Sequence, residues 1–412
     1  MLKLTLSPIT LQRDLAAAKK SLESLLEEAE LLRIYSYPTL DALVASAVLF
    51  HHSSRLGVRA ALKVAPEPPK LVESESFLIG YRELNYKTEE VRSKLVALSS
   101  GELKSIPVHG ATYVEGEGSS SAMLGLMLED LDPELLLLTF AGSYASKYVG
   151  RTGKFSGLDQ VLLERLKSNP SLALSMKTVL KVYKPHERDA CTAMKLTLDP
   201  YYPGITGTGE GCRELPSFGA GEGLRGELIR LEGKLLQELA VAVLEFTANK
   251  FKLDLNPEDI VGGLLISENR ALPFTDPREA SHALLYVAEA SRDLGRVAAT
   301  VADLPYEYPM AEARLEDYAV RLAELVKGGV TKGKINLRLK VYEAPLSKGD
   351  SPTLLWRALR TMRAVEQDSI IAFRGEDGLF ASPLQLEEAL GYGAARRVGE
   401  WRDGLVWLGR GA

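Results

Sequence analysis

Apolar residues recur at helical spacing near the start of the chain. Leu11, Leu15, Leu22, Leu25, Ala29 and Leu32 fall on one face, so residues 11–32 are expected as an amphipathic helix. A short strand follows at Arg33 to Tyr37, and Asp41 to Leu49 has the small, apolar composition of a buried helix. Further strands are expected at Ala60–Val64, Ser76–Gly80, Leu95–Leu98 and Leu135–Phe140, with helices at Thr88–Ser93 and Ser121–Asp130 between them. Strands alternating with helices predict a parallel sheet of the α/β class.

Residues 157–167 and 187–196 are expected as helices, and the stretch from Asp199 to Gly223 is rich in Gly and Pro, as a long loop or boundary is. A long helix over 226–250, two more at 278–297 and 311–327, and strands at Ile335–Tyr342, Ser369–Arg374 and Leu405–Leu408 complete the pattern. With 412 residues, more than one core is expected. The division expected is 1–215, a helical connector at 216–255, and a smaller α/β unit at 256–412.

Composition narrows the function. The balance of 46% hydrophobic and 25% charged residues is that of a globular chain, and no apolar run is long enough to cross a bilayer. The N-terminus lacks the shape of a signal peptide, so a cytoplasmic location is expected. A net charge of −5 argues against a surface that grips nucleic acid all round, although one basic groove remains compatible with it. The two cysteines, Cys191 and Cys212, have no metal-ligand spacing; a disulfide is open to them, with reduced thiols the expectation. No P-loop, Rossmann glycine fingerprint or nucleophile elbow is present.

Tyr37-Pro38-Thr39-Leu40-Asp41-Ala42-Leu43, with the following Ser46-Ala47, resembles the first motif of RecJ-like DHH phosphoesterases. In that family a strand ends in His-x-Asp-x-Asp and a small-residue helix follows. Here Asp41 keeps its residue type, while Tyr37 and Thr39 stand at the His and first Asp positions. The second motif, an Asp closing a strand, aligns with Phe77-Leu78-Ile79-Gly80, so Gly80 replaces the carboxylate. The name-giving Asp-His-His aligns with Ser99-Ser100-Gly101, and the Gly-x-x-x-Asp motif with Gly142 to Ser146. Leu196 through Asp199-Pro200, Pro203-Gly204 and Gly207 resembles the segment where the family's first domain ends. Asp276-Pro277-Arg278-Glu279-Ala280 through Gly295-Arg296 resembles its interdomain helix. Ile370–Phe373 and Gly378–Pro383 resemble the DHH-associated domain, with Gly391 to Gly399 an echo of its substrate-holding glycine-rich turn, without the histidine.

The resemblance implies a DHH domain with a helix-flanked parallel sheet, a helical linker and a smaller α/β DHH-associated domain. Its members hold two Mn²⁺ or Mg²⁺ ions on carboxylates and imidazoles, which generate hydroxide and clamp a scissile phosphate. One aspartate beside Gly, Thr and Ser cannot supply that charge, and the first 150 residues hold only three histidines, none at such a strand end. The resemblance therefore implies a pseudoenzyme with no catalytic residue, metal or cofactor, similar to the archaeal RecJ-like and cell division cycle protein 45 branch. That branch serves the replicative helicase, and its implied partners are the GINS complex, the MCM helicase and single-stranded DNA. The alternative is a divergent metal-dependent 5′→3′ single-strand exonuclease or phosphoesterase with a rebuilt site. Asp41 is open to two roles, helix N-cap or residual ligand. Arg396 and Arg397 are candidates for phosphate contact, or a solvated basic pair.

Overall fold

The strand–helix alternation of the first half closes into a single layered unit in the computed structural model. The structure describes residues 2–6, 11–106, 108–128, 130–145, 147–215, 228, 233–332 and 339–409. The chain runs through β1 (Leu2–Leu6), α1 (Leu11–Glu28), β2 (Leu31–Ser36), α2 (Leu40–Arg55), β3 (Arg59–Val64) and β4 (Ser76–Ile79). It continues with the short β5 (Glu83–Leu84), β6 (Leu95–Ser100), the short β7 (Lys104–Ser105) and β8 (Ala111–Gly116). Then come α3 (Ser120–Met127), α4 (Pro133–Tyr144), α5 (Lys147–Thr152), α6 (Gly157–Leu166), β9 (Leu174–Leu180) and α7 (Ala190–Leu196). Six of these strands make one all-parallel sheet in the order β1-β8-β6-β4-β2-β3.

Several elements differ from their sequence-based expectation. Leu31 and Leu32 continue the helical spacing of α1 but open β2, where Leu32 is fully buried. Thr88–Glu90 is one 3₁₀ turn, shorter than the helix expected there. Leu135–Phe140, expected as a strand, is the middle of α4, which starts on Pro133 in its first turn. This helix is covered by α2, α3 and α10, so apolar residues occupy its whole circumference. A continuous apolar run is then shared by a helix and a buried parallel strand.

The later chain supplies α8 (Gly233–Phe251), α9 (Pro257–Ile260), β10 (Val261–Ser267), α10 (Pro277–Ser291), α11 (Arg296–Ala302) and α12 (Leu304–Gly328). After these come β11 (Thr331–Lys332), β12 (Lys340–Glu343), α13 (Pro352–Thr361), β13 (Ser369–Gly375) and β14 (Gly378–Ala381). The last elements are α14 (Pro383–Leu390), α15 (Ala394–Val398), β15 (Glu400–Arg402) and β16 (Leu405–Gly409). A second six-stranded sheet has the order β11-β12-β13-β14-β16-β15, and β9 pairs antiparallel with β10. The early part of the long helix expected at 226–250, and residues 335–338 of the strand expected at 335–342, lie outside the described residues. The helix expected over 278–297 is divided in two, with Arg292 at a φ of 55° ending α10.

The two halves share a core. α10 and α11 pack on α2 and α4 of the first sheet's helical layer. Glu289, buried on α10, accepts hydrogen bonds from the Thr353 backbone N–H at 3.0 Å and from the hydroxyls of Ser351, Thr353 and Ser382. It thereby ties α10 to the starts of α13 and α14, each with its own serine N-cap. Cys191 and Cys212, expected as reduced thiols, form a disulfide. The loop after α7 folds back through Gly204–Gly211 and brings the two Cα atoms to 5.7 Å, a separation a disulfide spans. Among the described residues no helix is long and apolar enough to cross a membrane.

Candidate functional site

Open parallel sheets bind ligands beyond the carboxyl ends of their strands, at the point where strand order reverses. Here the chain passes from β2 outward to β3 and then returns to β4 on the other side of β2, so the reversal lies between β2 and β4. Tyr37 and Thr39 leave β2 at that point, and Gly80 leaves β4 beside them. The Tyr37 N–H donates to the Ile79 carbonyl at 2.9 Å, and Thr39 caps α2 by accepting from the Ala42 N–H.

Side chains and backbone fill this crevice. Tyr37 is buried, its ring stacked on Tyr392 at 4.6 Å between centroids and set edge-on to Tyr81 at 5.6 Å. Its hydroxyl oxygen accepts from the Gly393 N–H at 2.9 Å. The Glu387 carboxylate receives the N–H groups of Gly393 and Ala395 at 2.9 and 2.8 Å. Burial and this neighbouring carboxylate hold the Tyr37 phenol far above its ordinary range, so it stays neutral. Tyr392 in turn accepts from the Arg82 N–H at 2.7 Å, across the same seam. The glycine-rich turn at 391–393 is thus docked onto the strand ends of the first sheet. Tyr37→Phe is expected to lower stability by about 1 kcal/mol, since Glu387 still holds the Gly393 N–H. An unchanged urea midpoint would show that the hydroxyl contributes nothing.

Gly80 has no room for a side chain. Its φ is +84°, and a Cβ there would lie 2.8 Å from the Ala42 Cβ and 3.0 Å from the Tyr37 Cβ. Ser99 is buried at the end of β6 with Ser100 half-buried beside it, and the Ser99 hydroxyl has no hydrogen-bond partner among the described residues. Ser146 lies outside the described residues. Gly142 to Ala145, placed after a strand by the sequence alignment, instead belong to α4 and its end, where Gly142 sits tightly against Ser121.

Asp41 lies inside the first turn of α2, whose cap is Thr39, so it is not the N-cap of its own helix. It crosses to α3, where its carboxylate accepts from the Ser120 and Ser121 N–H groups at 2.7 and 3.0 Å and from the Ser121 hydroxyl at 2.8 Å. Asp159 serves the same helix end, receiving the Ser119 N–H at 2.9 Å and the Ser119 and Ser143 hydroxyls. Ser119 is the N-cap of α3, its side chain accepting from the Ala122 N–H. Burial pushes the Asp41 carboxyl up to about 6 from 3.8 despite these donors. With the folded value raised, the stability that protonated Asp41 contributes is present below pH 4 and lost as pH rises through about 6, a change of about 3 kcal/mol. Stability measured relative to Asp41→Asn should fall across that window; a pH-independent difference would show that Asp41 does not titrate there.

Among the described residues no three His, Cys, Asp or Glu side chains lie together as a metal would need. Arg396 extends from α15 to Glu83 at 3.0 Å, and Arg397 donates to the Tyr392 carbonyl at 2.6 Å; both are exposed. The structure therefore brings Tyr37, Thr39 and Gly80 together, places Arg396 at the same seam, and commits Asp41 to a helix end. Tyr81, Tyr392, Glu387 and Asp159 complete the arrangement and were not singled out in the sequence. Tyr392 had one signal, its place between the two glycines of the glycine-rich turn.

No family model matches the sequence, and no curated protein matches it. A crystal structure of CDC45 from Entamoeba histolytica superposes with a TM-score of 0.53 and 9% identity, covering 96% of this chain and 92% of that one. RecJ in complex with Mn²⁺ from Thermus thermophilus gives a TM-score of 0.39 and 12% identity, over 89% of this chain and 46% of that one. Exonuclease RecJ bound to manganese gives the same score and identity over 81% of its own length. The chain shares the CDC45 fold, and the two-sheet α/β architecture expected from the sequence is the architecture it has.

Proposed function

We propose that this chain is a non-catalytic structural subunit of an archaeal replicative helicase, bridging MCM and GINS at the replication fork. One observation carries the non-catalytic part: the crevice where the strand order reverses is occupied by Tyr37, Tyr81 and Tyr392, with the Gly393 backbone bonded to Tyr37. A two-metal phosphoesterase needs that space for carboxylates, ions and a phosphate. The helicase part rests on the CDC45 fold over nearly the whole chain. In this reading the molecule is a cytoplasmic scaffold with units at 1–215, 216–255 and 256–412. Arg396 and Arg397, at the exposed rim of the crevice, are its proposed contacts to single-stranded DNA.

Purified protein mixed with GINS and MCM of the same organism at micromolar concentration is expected to co-elute with both on size exclusion. Separate elution would end the bridging assignment. Labelled single-stranded DNA with Mn²⁺ should remain undigested; 5′→3′ digestion abolished by Asp41→Ala would instead establish the exonuclease alternative.

A further inference from the structure

We propose that the cavity between β9, the segment leading into α10 and the first turns of α12 binds a small organic cation, an ammonium or guanidinium compound. Its volume is about 660 Å³, within the size range of small-molecule sites. It shares no lining residue with the crevice at Tyr37.

Its lining includes the carboxylates of Asp276, Glu279 and Glu312 and the rings of Phe274 and Tyr308. Asp276 is 3% exposed. Its Oδ1 caps α10, accepting from the Arg278 and Glu279 N–H groups at 2.9 and 3.3 Å. Its Oδ2 accepts no hydrogen bond among the described residues and stands 3.7 Å from Arg278, whose Nε and Nη1 are also without a hydrogen-bond partner there; of the two residues, Asp276 lines the cavity and Arg278 does not. The other two carboxylates are engaged. Glu279 receives Arg278 at 2.9 Å and faces His282 at 3.7 Å. Glu312 receives Lys184 at 2.7 Å and the Tyr308 hydroxyl at 3.3 Å. Three carboxylates thus face two permanent cations, Lys184 and Arg278, and Lys184 is shared further with Glu187 at 3.4 Å.

That surplus selects the sign of the ligand. A buried carboxylate oxygen without a donor favours an N–H-bearing cation over an anion. The other charged lining residues, Lys177 and Arg270 against Glu187 and Glu268, balance each other and leave the excess with the three carboxylates. The Phe274 and Tyr308 rings, packed together with centroids 5.2 Å apart, add aromatic surface to the lining. Burial raises the Asp276 carboxyl above its ordinary value, so a bound cation would also relieve the cost of its ionisation.

Isothermal titration with agmatine and putrescine as probes, and inorganic phosphate as the anion control, tests this on the full chain. Saturable heat is expected with at least one amine at millimolar concentration, and none with phosphate. Asp276→Asn keeps an oxygen to cap α10, and Glu312→Gln leaves Lys184 its Glu187 partner. Each should weaken amine binding by at least about tenfold. If Asp276→Asn does not fold, Glu312→Gln decides alone. Absence of saturable amine binding, binding unchanged in the folded variants, or saturation by phosphate in place of the amines would overturn the proposal.

Discussion

Gly80→Asp, which would put back a carboxylate at the second motif, is expected to destabilise the protein by at least about 3 kcal/mol and to confer no Mn²⁺ binding. The steric part cannot be relieved by a rotamer change. The two atoms that an added Cβ would meet, at 2.8 and 3.0 Å, are themselves the Cβ atoms of Ala42 and Tyr37, fixed by the backbone of α2 and the turn before it. The positive φ of 84° adds strain for any side chain. The electrostatic part comes from placing a carboxylate beside a neutral phenol among buried aromatic rings. Gly80→Ala carries the same steric cost without the charge, so the difference between the two variants in urea unfolding isolates the carboxylate. A wild-type midpoint for Gly80→Asp, or saturable Mn²⁺ binding by it, would refute the view that packing has closed this position to a metal ligand.

The same crevice shows what was legible in the sequence. β2, β3, β4 and β6 could be read, because a parallel sheet writes its strands as apolar runs, whereas β1 and β8 of the same sheet carried no expectation; the start of α2 could be placed, although its cap is Thr39 and not Asp41. The destination of Asp41 could not be read. Its donors lie on α3, almost eighty positions away in the chain, and no local pattern encodes that contact. The glycine-rich turn marked Tyr392, but its partners Tyr37 and Arg82 could not be read for the same reason, since they belong to the other sheet's strand ends. α4 was misread because it is buried on all sides, which erases the helical period. The disulfide was misjudged because compartment statistics weigh on thiols in general, whereas the fold brings Cys191 and Cys212 together through the return of one loop.

The second large effect concerns the joint between the halves. Arg357 on α13 donates from Nη1 to Asp199 at 2.9 Å, and from Nε and Nη2 to Glu388 at 2.9 and 2.7 Å. Asp199 belongs to the loop after α7, Glu388 to α14, so one side chain joins the Asp-Pro segment to the second sheet's helices. Only 14% of the Arg357 side chain is exposed. The guanidinium holds the Asp199 carboxyl below its ordinary value, with His282 adding to the pull from 3.9 Å. Arg357→Met keeps most of the packing volume but removes the guanidinium that Asp199 and Glu388 share, leaving Glu388 without this partner and Asp199 with the weaker pull of His282, and should cost about 3 kcal/mol. The loss should be largest above the unfolded pKa of Asp199 and shrink as pH falls through its depressed folded value. Adding Asp199→Asn and Glu388→Gln to Arg357→Met should recover most of it, because neutral amides need no counter-charge. If Arg357→Met alone costs less than about 1 kcal/mol in urea unfolding, the cluster behaves as a solvated surface network and does not hold the two sheets in place around the Tyr37 crevice.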